Sequence, residues 1–272
     1  MIISILLPSR KNPYNLSVAV DSYILHFSGE NELEILVGLD DDDETRFDFL
    51  EKYKNDSRIR PILFKRLGYW NNHIIMNILA KKSRGHILWM GNCKSMVLTP
   101  RWDKYLERFE NKMLVGSHIT EWYDHEAAHP VHRYTKRQCM LFPIVSRPYI
   151  DVLGKFSNYC RNDSWIGATI GHLRDFGQEG TNYLNKIHPT ITEISICHDR
   201  SKVPKYDEPT FEKEWCISPE KLPEEYRNYG HIFFNQCTTG DGFSAYDSAK
   251  NERIEDAKKI FYFLKNNKNY LP

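Results

Sequence analysis

The stretch "GHILWMGNCKSMVLTPRWD", residues 85–103, decides how this chain is read. It begins as a buried strand, "HILWM", and ends as the start of a surface helix, "RWDKYLERF". Between the two lies "GNCKSM", a polar strand end that presents Asn92, Cys93 and Lys94. A strand that stops on such a loop and is followed by a helix is one unit of an alternating α/β fold.

The same alternation runs through the first half of the chain. "IISILLP" is a continuous apolar run, as expected of a strand covered on both faces. Asn12-Pro13 then offers a helix start, and Leu16, Val20, Tyr23 and Phe27 recur at helical spacing. "LEILVGL" reads as a second buried strand and stops abruptly at Asp40-Asp41-Asp42-Asp43. A short helix over about Glu44 to Tyr53, the strand "IRPILF" and a helix carrying Ile74, Ile75, Ile78 and Leu79 lead back to "HILWM". The order implies a mainly parallel sheet with helices on both faces, and such sheets bind ligands beyond the carboxyl ends of their strands. Three of those ends are chemically distinctive: "PSRKNPY", "DDDDE" and "GNCKS".

After about residue 119 the pattern loosens into aromatic, His-rich loops. "SWIGATIGHLRDFG" reads as a helix ending at Gly177, and "EISICH" as one more strand. The polar, Pro-containing stretch from about Ser201 to Tyr229 has the character of an arm or lid, and Ile254, Ala257, Phe261 and Leu264 mark a closing amphipathic helix.

Bulk properties narrow the class. With 272 residues, 41% hydrophobic and 27% charged, the chain has core material for one large domain. A formal net charge of +1 gives no global attraction to nucleic acid or membrane. The six cysteines form no CxxC pair, which reads as reduced thiols in a cytoplasmic protein, host cytoplasm if the chain is viral. No apolar run is long enough to span a membrane, and "MIISILLPSRK" reads as a strand and not as a signal peptide.

In this order the elements resemble a family 2 glycosyltransferase of the GT-A fold. "ISILLPSRKNPYNLSVAVDSY" is similar to that family's opening strand, substrate loop and first helix, and "EILVGLDDDDET" to its nucleotide-binding strand end. "NILAKKSRGHILWMGN" resembles the helix and strand that lead to its metal motif, and "FPIVSRPYIDVLGKFSNYCRNDSWI" its acceptor-side region. The resemblance covers roughly residues 2–200. It implies a Rossmann-like, three-layer α/β/α domain over residues 1–200, with a nucleotide-binding part to about 118 and an acceptor-side part over 119–200. Residues 201–272 then form a C-terminal extension packed on the same domain.

The implied activity is inverting transfer of a sugar from a nucleoside-diphosphate donor, most often UDP-linked, to an acceptor hydroxyl. Asp40 and Asp42 correspond to the acids that hold base and ribose, and a carboxylate suits both, since it accepts the uracil imide N–H or ribose hydroxyls. The alternative is a solvated acidic helix start. Pro8, Ser9, Arg10 and Arg66 fall on the donor side.

The family's paired metal-binding acids correspond to Cys93 and Lys94, which is the clear departure. Mg²⁺ or Mn²⁺ wants oxygen ligands, and here only Asn92 offers one. Lys94 can instead stabilise the charge of a leaving diphosphate, at about 4 kcal/mol for a unit pair roughly 4 Å apart and an effective dielectric near 20. His198 matches a histidine that sits near the phosphates, with Arg200 beside it. Asp163 matches the catalytic base, although an Asp before "SWIGATI" also suits a helix N-cap. Trp122, Tyr123, Arg133 and Trp165 are the acceptor-side residues, with Glu121 and Asp124 as further acids.

Two other motifs compete. "HEAAH", His125–His129, matches a zinc-hydrolase pattern, but Pro130 disfavours the helix that the pattern needs. "VHRYTKRQ" mixes basic and aromatic residues that suit a phosphate backbone or simply a solvated loop. The acceptor is accordingly a saccharide or a hydroxymethylated pyrimidine in viral DNA. A non-catalytic nucleotide-sugar binder is the alternative of a different class.

Overall fold

A computed structural model describes residues 1–68, 71–123, 134–159, 161–199, 224–227 and 249–272. Three parallel pairings build the first half. Strand β1 (Ile2–Ser9) lies between β2 (Glu32–Asp40) and β4 (Ile87–Met90), and β3 (Ile59–Phe64) flanks β2. Helices α1 (Pro13–Leu25), α2 (Arg46–Tyr53) and α3 (Asn72–Lys82) make the crossovers. The continuous apolar runs are explained by two-sided cover. Ile3, Ile5 and Leu7 face one core together with α1 and α2, while Leu6 faces a second core with α3.

The second half extends this sheet. Strands β6 (Val115–Tyr123) and β7 (Tyr134–Ser146) pair antiparallel, β7 runs antiparallel to β4, and β8 (Thr190–Asp199) runs parallel to β6. A short β5 (Ser95–Val97) closes the far edge against β8, giving the order β3-β2-β1-β4-β7-β6-β8-β5. Four of the seven pairings are parallel. The first core lies under α1, α2 and a 3₁₀ helix (Trp102–Phe109). The second lies under α3, α4 (Arg147–Leu153), α5 (Asn162–Gly171), α6 (Gly177–Ile187) and the closing helix. The architecture is therefore a three-layer α/β/α sandwich.

The position of β5 requires the sheet to curl. Four strand spacings would separate β4 from β5 by about 19 Å in a flat sheet. The chain from Met90 to Ser95 reaches at most about 18 Å when extended, and here it contains a tight turn. Register shifts between Gly116 and His118 on β6, and between His118 and Ile119 opposite β8, bend the ladder. The curl brings β5 onto α1, where the Val97 N–H donates to Ser22 Oγ at 3.0 Å.

Several expectations need correction. Strand β6 runs on to Tyr123, and Tyr134–Gln138 of the basic-aromatic stretch lie in β7, not in a loop; the His-rich residues 124–133 between them lie outside the described residues. "RWDKYLERF" winds as 3₁₀ and not as α-helix. The helix expected to end at Gly177 stops at Gly171, continues as 3₁₀ over His172–Phe176, and a new helix begins at Gly177, whose φ of 68° is of the kind glycine adopts readily. In the C-terminal region a short α7 (Glu224–Arg227) and α8 (Lys250–Asn266) are described. Helix α8 buries Ala257, Ile260, Phe261 and Leu264 against the α4–α6 side. No helix among the described residues is long and apolar enough to cross a membrane.

Candidate functional site

The carboxyl ends of β1, β2 and β4 meet at one place. Arg10 leaves β1 and reaches across to β2, where its Nη1 donates to Asp40 Oδ2 at 2.8 Å and to Asp42 Oδ1 at 2.5 Å, and its Nη2 to Asp42 Oδ2 at 3.1 Å. Asp40 is buried as the last residue of β2, and burial pushes its carboxyl up to about 6 against the pull of Arg10. Asp42 is more exposed. Its bonds to Arg10 hold it below the usual carboxylate range, and the charge of Arg66 adds to the effect. Arg66 is thereby placed beside the same acid.

The four aspartates do different things. Asp43 is the structural one. Its Oδ1 accepts the Thr45 N–H at 3.0 Å and the Thr45 hydroxyl at 2.8 Å, which fixes the approach to α2. Its Oδ2 accepts the Lys11 N–H at 2.5 Å. Lys11 has φ of 50°, a left-handed conformation uncommon for a residue with a side chain, and the Asp43 bond helps to hold it there. The helix-start and binding readings of this run therefore separate by residue: Asp43 serves the first, and Asp40 and Asp42 remain with Arg10. Asp41 is exposed.

The loop after β4 is a tight turn. The Lys94 N–H donates to Asn92 Oδ1 at 2.7 Å, the Asn92 N–H to Ser95 Oγ at 3.0 Å, and the Ser95 hydroxyl to the Asn92 carbonyl at 2.8 Å. Gly91 has no space for a side chain, since a Cβ there would lie 2.6 Å from Leu7 Cδ2 and 3.0 Å from the Tyr23 hydroxyl. Asn12 Nδ2 approaches Cys93 Sγ at 3.6 Å, which ties the β1 loop to the β4 loop. Burial raises the Cys93 thiol, only partly offset by Lys94, so the sulfur stays protonated.

This loop does not fit a divalent cation. The Asn92 side-chain oxygen is engaged by backbone, the Cys93 thiol is neutral and Lys94 is a cation. Among the described residues no three His, Cys, Asp or Glu side chains gather as metal ligands.

The curled part of the sheet brings further expected residues alongside. His198 pairs through its backbone with Ser95 on one side and Trp122 on the other, and Tyr123 pairs with Asp199. Glu121 accepts a hydrogen bond from Ser195 Oγ at 2.9 Å. Pro8 and Ser9 end β1 opposite Gly38 and Leu39. Arg133, Arg200, Asp124 and the "HEAAH" segment lie outside the described residues.

Asp163 is the second residue of α5, two positions past the cap residue Arg161, and accepts the Ser164 N–H at 2.8 Å. Burial raises its carboxyl and the Ser164 bond opposes that. Trp165 differs from expectation. It is 1% exposed and packed inside, with the Arg253 guanidinium 5.6 Å and the Lys155 ammonium 6.0 Å from its ring. An enclosed indole has no face to offer an acceptor sugar, so Trp165 is a core residue.

Sequence reading missed Lys11, Asn12 and Asp43, which fasten the three loops together, and Ser95, which closes the turn after β4. The Asp-x-Thr spacing at Asp43 and Thr45 was the legible signal for one of them. A cavity of ≈ 480 Å³ lined by Phe49, Tyr53, Ile59 and Pro61 opens beside the start of β3 and shares no residue with this cluster.

No protein-family model and no curated protein sequence matches the chain. Among solved structures it is similar to S. aureus TarS 1–349 in complex with UDP, at 10% identity and a TM-score of 0.45, over 62% of this chain and 54% of that one. S. aureus TarS matches at 11% identity and a TM-score of 0.46, over 62% and 33% of the two chains. TarS 1–349 in complex with UDP-GlcNAc matches at 10% identity and a TM-score of 0.48, over 98% and 75%. This chain thus spans about half the length of the first of these structures.

Proposed function

We propose that the protein is a glycosyltransferase that moves a sugar from a nucleoside-diphosphate sugar, with UDP as the first candidate nucleotide, to an acceptor hydroxyl with inversion. The observation that carries this reading is the meeting of Arg10, Asp40 and Asp42 with the Asn92–Ser95 turn across the ends of three parallel strands. Such a site joins acids suited to a nucleoside with cations suited to its phosphates.

Asp40 and Asp42 accept from the base and ribose. Lys94 faces the diphosphate and stabilises the charge that grows as the glycosidic bond breaks. His198, set beside Ser95 by strand pairing, donates to the same phosphates. Asp163 takes the proton of the acceptor hydroxyl as that oxygen attacks the anomeric carbon and the nucleoside diphosphate departs. Its burial suits a base, because a carboxylate raised toward neutrality is a stronger proton acceptor. Trp122 and Tyr123, at the end of β6, flank the acceptor. The acceptor class is a saccharide or a hydroxymethylated pyrimidine in DNA. The loop chemistry supports turnover without a divalent ion.

The test is a donor-and-acceptor screen read by mass spectrometry, with hydroxymethylcytosine DNA among the acceptors and with and without EDTA. Product mass gain of one sugar, retained in EDTA, is the expected result. Nucleotide-sugar binding without transfer to any acceptor would make the chain a binding protein instead.

A further inference from the structure

We infer that Arg10 is a diphosphate ligand of this site, held on Asp40 and Asp42 until the base and ribose of a donor take over those carboxylates. The inference rests on the nucleotide-sugar reading above and adds an exchange of partners to it.

Four observations point this way. First, both carboxylates assigned to the nucleoside are engaged by one guanidinium, with three hydrogen bonds between them. A nucleoside that binds Asp42 through both oxygens competes directly with Arg10.

Second, Arg10 is rooted next to the other half of the site. Its neighbours Ser9 and Asn12 both interact with Cys93, so its backbone lies against the turn that carries Lys94 while its guanidinium lies at β2. The inferred exchange is a rotation of the Arg10 side chain from the end of β2 toward that turn.

Third, Arg10 Nε is enclosed and meets no acceptor among the described residues. The fork is incompletely satisfied by its own acids, and phosphate oxygens match the geometry of a guanidinium edge.

Fourth, Asp42 also feels the charge of Arg66, so the departure of Arg10 does not strip it of positive neighbours. A diphosphate brings at least two negative charges to a loop that lacks the oxygen donors for a divalent ion, and Arg10 joined to Lys94 supplies two cations there.

The test is calorimetric titration of the full chain with uridine and with UDP, for wild type, Arg10→Ala and Arg10→Gln. Arg10→Gln is neutral yet keeps N–H donors for Asp42, which guards against a variant that fails to fold. Thermal melts identify folded samples. The expected result is selective: UDP affinity falls about tenfold or more, as for loss of a charge-assisted hydrogen bond, while uridine affinity is unchanged or higher. Equal losses for uridine and UDP would mean that Arg10 only braces the acids, and no change for either would mean that it does not enter the site; both overturn the inference. Wild-type protein that binds neither ligand would overturn the nucleotide-sugar reading itself, a result visible before any variant is compared.

Discussion

Arg10 grips Asp42 with both ends of its guanidinium, Nη1 to Oδ1 at 2.5 Å and Nη2 to Oδ2 at 3.1 Å, and the same Nη1 reaches Asp40 at 2.8 Å. Two residues of β2's end and one from the end of β1 therefore act as one charged unit, 30 and 32 positions apart in the chain. Changes to any member should be read through the others.

Replacing Asp40 and Asp42 together by alanine should reduce UDP affinity sharply. Calorimetry on the folded double variant measures this. Unchanged affinity would remove both acids from the site.

Asp40 also sets a pH dependence. Its folded pKa of about 6 lies above the ordinary carboxylate value, so the folded state binds the proton more tightly than the unfolded chain. Its contribution to stability is therefore fully present below the unfolded value and is lost as pH rises through about 6. The local slope approaches about 1.4 kcal/mol per pH unit for one proton. Asp40→Asn should flatten the difference in denaturant midpoints measured at acid and neutral pH. Under the proposed function nucleotide binding runs the other way, because the ionised carboxylate would be the acceptor: UDP affinity in wild type should fall as pH drops below about 6.

Under the proposed function Lys94→Ala should lose rate more than donor affinity, on the order of 10²-fold in turnover, since the ammonium would act on charge that develops during bond breaking. Steady-state kinetics in EDTA separates the two effects. Strong stimulation by Mn²⁺ that chelation abolishes would point to a metal site elsewhere.

Asp163→Asn should lower transfer by about 10² to 10⁴ with donor binding intact. The amide oxygen can still accept the Ser164 N–H, so thermal stability should change little. Near-normal rates in a folded variant would leave Asp163 a helix-start residue and direct attention to Glu121.

Gly91→Ala should destabilise the fold by about 1–3 kcal/mol, because the added methyl would press on Leu7 and the Tyr23 hydroxyl. Urea titration reads the loss. A neutral result would show that the turn at Asn92–Ser95 shifts without cost.

The parallel half of the sheet was legible because β1, β2 and β4 are buried on both faces and read as apolar runs interrupted only by the buried pair Ser4 and Glu34. Strands β6 and β7 were not, for an equally physical reason. Their buried positions include Ser117, His118 and Thr120, and the start of β7 carries Lys136 and Arg137, so neither an apolar run nor a clean alternation marks them. The three unusual strand ends were visible in the sequence, and the parallel pairing of β1 with β2 and β4 is what brings them together. The Arg10 pairing was not, because it joins loops about 30 residues apart and exists only once β1 and β2 lie side by side. Trp165 was misplaced because a large aromatic near a helix start suits a stacking platform as well as a core, and only its enclosure in the fold decides between them.

The pairing of Ser95 with His198 has a consequence for how the molecule is made. On a ribosome, β1, β2 and β3 can associate as soon as they emerge, since their two parallel pairings each close a crossover of about 24 to 30 residues. The turn at Cys93-Lys94 leads into a strand whose partner is synthesised about 100 residues later, and closing so long a loop is the slow kind of step. The nascent chain thus acquires the parallel end of its sheet first and fastens the β5–β8 edge last. Pulse-labelled hydrogen exchange during refolding should find amides of β1 and β2 protected before those of Met96 and Val97.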